Sequence, residues 1–453
     1  MVNYQDLLKV PDRTQDKIDF VHRAIQMHKN TDLYNIAVIA DQYDRQKNPT
    51  IVNYQKLLYT VTGKAVVDNY SANYKMTSGF FNRFTTQENQ YLLGNGITWQ
   101  EESTKQALGN DFENEVQNAG KMALVGGVAF GFWNYDHLET FGVSEFAPLY
   151  DEENGALRAG IRFWQVASNK PLRATLYEED GYTDYIWISG TGSVLNEKRS
   201  YIINLRVSEV DGTEIYDGDN YDTFPIVPLW ANPQKQSELI GIRESIDAYD
   251  LIKSGFANDI DDASMIYWTI QNASGMDDID LVKFVEHMKT VKAAVVEEDG
   301  AKAEAHTMDI PYNAREAILE RLEKDLYKDY MALDTEKIAG GAVTATQIKA
   351  AYEPLNNKVD QYEYCVRKFL QGILNIAGIE DTPTFTRSKI VNVSEEIQAV
   401  LSVAGFVDEE YLTKKILTLL GDGDMADEVI NRMDANAVDR FTSDDVFGTG
   451  NTE

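Results

Sequence analysis

Between Ser237 and Asp262 the large apolar residues fall at Leu239, Ile242, Ile246, Tyr249, Ile252, Phe256 and Ile260. Steps of three and four put them on one face of an α-helix. Ser237 suits the N-cap, with Glu238 just inside favouring the positive end of the helix dipole. The other faces carry Glu244, Asp247, Asp250, Asp259, Asp261 and Asp262 against only Arg243 and Lys253. Gly241 and Gly255 interrupt the pattern at a cost of about 1 kcal/mol each relative to Ala, so a bend or a close neighbour is expected there. A second amphipathic helix is expected over Tyr312–Leu333, with Ile318, Leu322, Leu326, Tyr330 and Leu333 apolar and several opposite charges four residues apart. A third covers Gln347–Ala377 and should bend at Pro354, which removes a hydrogen bond and crowds the preceding turn. Shorter helices are expected over Thr14–Met27, Asn53–Val61, Asn73–Leu93, Leu108–Ala119, Ser394–Ala404, Glu409–Leu420 and Ala426–Met433.

The period changes near Lys121. KMALVGGVAFGFWN and the segments that follow, up to KRSYIINLRV, are rich in β-branched and aromatic residues and are separated by turns such as Glu153-Asn154-Gly155 and Glu179-Asp180-Gly181. That pattern predicts an antiparallel sheet. FPIVPLWANP, with three prolines, reads as an extended segment leading into the helix at Ser237. Met265–Ile270 reads as a strand, EEDGAKAEA as a linker, and DTEKIAGGAVTAT as a loop made permissive by Gly340-Gly341. The expected fold class is α+β, mainly helical.

Length and composition narrow the picture. A chain of 453 residues buries a large core and should form two or more domains. With 43% apolar and 11% aromatic residues it folds, despite its acidity. No apolar run is long enough to span a bilayer and the N-terminus lacks a signal-peptide core, so a soluble, cytoplasmically made protein is expected. The single cysteine, Cys365, excludes an intrachain disulfide or a multi-cysteine metal site and reads as a small buried residue. A formal charge of −31 argues against a tight grip on nucleic-acid phosphates, yet suits a surface that nucleic acid must pass without sticking.

Motifs of chemistry are missing. The five histidines have no metal-ligand spacing, no G-x-S-x-G elbow occurs, and Gly340-Gly341 precedes Ala-Val-Thr, not the Gly-Lys-Ser/Thr of a phosphate loop. Asp217, Asp219 and Asp222 do not match an EF-hand and read as solvated turn residues. No catalytic residue, metal or cofactor is assigned. Composition leaves open an acidic, aromatic-rich hydrolase, and a structural capsid or shell protein is the other alternative.

Longer blocks decide between these. NYKMTSGFFNRF (residues 73–84), YLLGNGITW (91–99), EFAPLYDEENGALRAGIRFW (145–164), FPIVPLWAN (224–232), SELIGIRESIDAYDLIKSGFANDIDD (237–262), GMDDIDL (275–281), TATQIKAAYEPLNNKVDQYEY (344–364) and PTFTRSKIVN (383–392) stand in one order. Together they resemble the portal (head–tail connector) proteins of tailed bacteriophages, siphophage type, across nearly the whole chain. The resemblance implies a homo-oligomeric ring, typically a dodecamer, at one capsid vertex, with double-stranded DNA passing through its axis. It implies a wing over residues 1–236, a stem helix over 237–263, a clip over 264–311 and a returning stem helix over 312–333. A tunnel loop over 334–346, a long wing helix over 347–378 and a helical crown and tail over 379–453 complete the series.

In that arrangement some stem carboxylates face DNA and repel its phosphates. The channel-lining candidates are Glu244, Asp247, Asp250, Asp259 and Asp261, with Lys349 as a cation. The tunnel-loop candidates are Lys337, Ile338, Ala339, Gly340, Gly341 and Ala342, where Lys337 offers weak exchangeable contacts and the glycine pair mobility. Met276, Asp277 and Asp278 are candidates for adaptor contact in the clip. The resemblance further implies the terminase large subunit, a head–tail adaptor, and the major capsid and scaffold proteins as partners. It implies a virion location after assembly in the host cytoplasm, no enzymatic activity, and no membrane.

Overall fold

The computed structural model describes residues 2–12, 14–59, 63–68, 73–207, 214–263, 267–271, 302–306, 312–336, 344–388, 393–403, 405–420, 425–426, 428–430 and 432–433. The chain divides into two compact units. The first comprises residues 1–332 and 358–386, the second residues 333–357 and 387–453.

The first unit opens with helices α1 (Tyr4–Leu8), α2 (Gln15–Lys29), α3 (Asp32–Asp44) and α4 (Pro49–Val52). Each starts at a polar cap: Asn3, Thr14, Thr31 and Asn48 accept from backbone N–H groups of the first turn, and Pro49 supplies a preset φ at N1 of α4. A hairpin of β1 (Leu57–Tyr59) and β2 (Ala65–Val67) follows, so the helix expected over Asn53–Val61 does not form. Consecutive apolar residues and Gly63, at φ +79°, favour strand and turn over a helical stripe there. An extended run over 73–79 then leads to α5 (Phe80–Leu93), so the helix expected from Asn73 begins seven residues late.

After β3 (Ile97–Thr98) and α6 (Glu102–Leu108) comes α7 (Phe112–Gly126), which overruns the expected change of period at Lys121 and stops at Gly127, in the left-handed region at φ +92°. The expected sheet is present. Strands β4 (Val128–Asn134), β5 (His137–Gly142), β6 (Phe146–Tyr150), β7 (Leu157–Trp164), β8 (Leu172–Glu178), β9 (Gly181–Ile188), β10 (Thr191–Arg199), β11 (Ile202–Val207), β12 (Glu214–Asp219) and β13 (Ile226–Trp230) pair antiparallel. They form sheets ordered β10-β9-β8-β7-β6, β13-β4-β5 and β11-β12. The expected turn at Glu179-Asp180 joins β8 to β9, and Ser189-Gly190, both at positive φ, joins β9 to β10 as a tight hairpin.

Helix α8 (Arg243–Ala263) is followed by β14 (Tyr267–Gln271), paired with β15 (Lys302–His306). The second half of the expected EEDGAKAEA linker is therefore a strand. Helix α9 (Tyr312–Tyr330) ends before Met331, at φ +65°. Helix α10 (Ala345–Ala377) runs through Pro354 and crosses from the second unit into the first at residue 358. A short strand, β16 (Thr384–Phe385), pairs with β3. The second unit further holds α11 (Val393–Ser402) and α12 (Glu409–Leu420). The expected helix over Ala426–Met433 lies partly outside the described residues.

Among the described residues, three apolar clusters hold the first unit. Val21 and Ile25 of α2 pack on Leu149, Ile161, Leu176 and Trp187 of the large sheet. An aromatic cluster of Phe130, Phe132, Phe141, Phe146, Tyr177 and Tyr201 fills the space between the sheets. The third joins α3 and α5 to the two charged helices, through Phe80, Phe81, Phe84, Leu239, Ile242, Ile246, Leu326 and Tyr330. This last cluster positions the candidate site. Among the described residues, no helix is long and apolar enough to cross a membrane.

Candidate functional site

The acidic helix α8 starts six residues after the expected cap. Ser237 Oγ donates to Val125 O at 2.6 Å and accepts from Leu239 N at 3.2 Å, which fixes a tight turn before the helix. Gly241 closes that turn at φ +96°, where an L side chain is strained. One of the two unexplained glycines is thereby accounted for. Gly255 does lie inside the helix, but a Cβ there would meet nothing within 4 Å of this chain.

Two of the channel-lining candidates are committed elsewhere. Asp250 is fully buried and accepts from Asn48 Nδ2 at 2.9 Å and from Ser78 N at 2.8 Å. Burial pushes its carboxyl above the usual range. Asp247 accepts from Tyr43 OH at 2.6 Å, Asn48 Nδ2 at 2.9 Å and Thr50 Oγ1 at 3.0 Å. Asp250 has no surface to offer a channel, which corrects that expectation, and Asp247 is tied to α3 and α4 by three donors. The physical reason is local: Asn48 caps α4 with its carbonyl, leaving its amide to bridge both carboxylates.

The same helix face carries a ladder. Asn258 Oδ1 accepts from Tyr74 N at 2.6 Å, Ser254 Oγ from Met76 N at 2.9 Å, and Asp250 Oδ1 from Ser78 N. Steps of four along a helix advance about 6 Å, and steps of two along an extended chain about 6.6 Å. The strap 73–79 therefore lies along α8 with alternate N–H groups pointing at it. Those N–H groups would otherwise seek a helix of their own, which explains the late start of α5.

Helices α8 and α9 pair along their length. Arg315 forms an ion pair with Asp259 and stands over the Phe256 ring, which meets Tyr312 edge-on at 5.2 Å between centroids. Glu244 is exposed, and Asp259 and Asp261 are half-buried. Lys349, in the second unit near the start of α10, is exposed. The candidates Lys337, Ile338, Ala339, Gly340, Gly341 and Ala342, and likewise Met276, Asp277 and Asp278, lie outside the described residues.

Below the paired helices sits a buried polar cluster that the sequence reading missed. Lys358 of α10 forms an ion pair with Glu238, lies 3.8 Å from Glu88 of α5, and stands 4.1 Å over the Tyr330 ring. Tyr330 OH donates to Glu88 Oε2 at 2.7 Å, and Tyr362 OH to Asn89 Oδ1 at 2.8 Å. Burial pushes Glu88 up to about 8, although Lys358 pulls the other way, while Glu238 adds to the rise. Burial by itself would lower Lys358, but the two carboxylates hold its pKa above the usual range. Glu88 thus keeps its proton near neutrality and Lys358 stays charged against Glu238. Gly120 makes room for the cluster, since a Cβ there would fall 2.2 Å from the Tyr362 hydroxyl and 2.4 Å from Asn89 Oδ1. A signal existed: Glu88 and Lys358 interrupt the apolar stripes Phe81-Phe84-Leu92 and Leu355-Val359-Tyr362 at helical spacing.

The chain matches the family described as phage portal protein, SPP1 Gp6-like, over residues 22–436. It is 25% identical over 342 residues to the portal protein of Clostridium phage phiCD119, covering 69% of this chain and 73% of that one. To the portal protein of Bacillus phage SPP1 it is 24% identical over 382 residues, covering 77% of this chain and 73% of that one. Among solved structures it is similar to a chain from the neck of an empty GTA particle, at a TM-score of 0.44 and 10% identity, covering 76% of this chain and 90% of that chain.

Proposed function

The chain belongs to the phage portal protein family, SPP1 Gp6-like, and from that premise we propose that it is the repeating subunit of a portal ring. The ring, of twelve copies, stands at one capsid vertex. Double-stranded DNA enters through its axis during packaging and leaves through it at ejection. The single observation that carries this reading is the family match, which runs from residue 22 to residue 436. Members of the family are structural proteins, and no catalytic role is assigned.

In this reading the wing occupies residues 1–236, the stem α8 and α9, the clip 264–311, the tunnel loop 334–346, the long wing helix α10, and the crown 379–453. The stem carboxylates assigned to face DNA are Glu244 and Asp261, since Asp259 is paired with Arg315. A wall of like charge keeps phosphates from settling, so DNA slides instead of binding. Lys337 and Lys349 supply weak contacts that exchange. The clip, with Met276, Asp277 and Asp278, meets the head–tail adaptor and, during packaging, the terminase large subunit. Wing and crown meet major capsid and scaffold proteins, and assembly takes place in the host cytoplasm.

Negative-stain imaging of the purified chain tests the ring. Particles with an axial hole are expected, and a monomer or a closed shell under all assembly conditions contradicts the proposal. The tunnel loop has its own test: valines in place of Gly340 and Gly341 should leave rings intact and impair DNA packaging. Normal packaging by that variant removes the loop's role.

A further inference from the structure

Resting on the ring reading, we propose that the hairpin β1–β2 and the groove beside it form the surface through which one copy of this chain docks onto the next. In a strand successive side chains point to opposite faces. Val66 and Val67 are neighbours and both are exposed, at 46% and 38%, with Leu57 on the paired strand at 47%. Among the described residues, β2 is therefore apolar and uncovered on both faces. A two-stranded hairpin is marginal by itself in water, and a strand apolar on both faces is one built to be buried.

The uncovered surface continues into a groove of about 250 Å³ between the strap and α8, where Tyr54, Tyr74 and Leu251 are half-exposed and Gly255 leaves open space. The occupant is a second copy for two reasons. A closed ring needs a heterologous contact, in which this surface meets a different one on the neighbour. Charge supplies the other reason: the hairpin and groove carry Lys56, Lys64 and Lys75 against Asp259, which Arg315 already pairs, in a chain of formal charge −31. A basic, apolar surface on a strongly acidic protein is complementary to most of what a second copy presents.

The experiment uses the full chain under conditions where it assembles. The double variant Leu57→Asp with Val66→Asp should keep the circular dichroism and unfolding midpoint of the unassembled chain, because both side chains are exposed. Its ring yield should fall at least tenfold. A photo-cross-linking benzophenone residue in place of Val66 should give a ladder of covalently linked copies. Wild-type ring yield in the double variant, or cross-links confined to one chain, overturns the proposal while leaving the ring reading intact. Rings that form normally but hold DNA less well at raised salt assign the surface to DNA, and so overturn it too. A wild-type chain that never forms rings overturns both.

Discussion

Helix α8 and the hairpin β1–β2 invert the usual relation between polarity and exposure. The acidic helix reads as a solvated face, yet it hides Asp250 completely and surrounds Asp247 with donors. The hairpin reads as core, yet it leaves Leu57, Val66 and Val67 in the open. In each case the deciding factor is a partner outside the element. The strap 73–79 brings unpaired N–H groups that need acceptors, and a carboxylate on a helix is a strong one. The hairpin has no such partner within the described residues, and its apolar faces are left for another copy. Helix polarity records which neighbour an element was built for, and only secondarily whether water is that neighbour.

The largest effect is expected at the buried cluster that ties α9 to α5 and α10. Lys358→Met leaves Glu238 without its cation, and removing one partner of a buried ion pair costs about 3–5 kcal/mol. Denaturant unfolding should show a loss of that size, and a loss below 1 kcal/mol would mean the cluster is wet. The same site should respond to pH. Glu88 titrates higher in the folded chain than in the unfolded one, so the folded chain keeps a proton that the unfolded chain gives up. Its contribution to stability is greatest below pH about 4.5, falls as pH rises, and levels off above pH about 8, with a slope of at most about 1.4 kcal/mol per pH unit. Glu88→Gln, followed by unfolding midpoints from pH 5 to 9, should flatten that decline. An unchanged slope would place the titration elsewhere.

Smaller changes sharpen the contrast. Gly120→Ala forces a Cβ onto the Tyr362 hydroxyl and Asn89, and overpacking of this kind costs about 1–3 kcal/mol. Ser254→Ala removes the acceptor for Met76 N, at about 1 kcal/mol, and should speed hydrogen exchange at Met76 more than at the helical amides of α5. Glu244→Lys, on the exposed side of the same helix, should stay within about 0.5 kcal/mol of wild type. It should instead make DNA passage through the ring more sensitive to salt, and an unchanged salt response means that Glu244 does not face DNA.

The elements legible in the sequence were those whose period is carried by their own side chains: α2, α8, α9, α10 and the strands from Val128 to Trp230. The strap at 73–79 was not legible, because GFFNRF extends a helical pattern backwards while the acceptors that keep Tyr74, Met76 and Ser78 extended lie about 175 residues away. The hairpin at 57–67 was missed for a related reason, since consecutive apolar residues fit a buried helix segment as well as a strand. At the candidate site, sequence alone found the acidic helix but not which of its acids are spent on α3, α4 and the strap. Glu244, Asp247 and Asp250 occupy similar patterns, and the positions of Asn48, Tyr43, Thr50 and the Ser78 amide separate them.

The ring remains the centre of the account, and native mass measurement of the assembled particle tests it most directly. A chain of 51.1 kDa assembled twelvefold gives a species of about 610 kDa, and a single closed multiple of the chain mass is the predicted result. A chain that stays at 51.1 kDa wherever its relatives' portals would assemble, or that builds an open-ended series of masses, contradicts it.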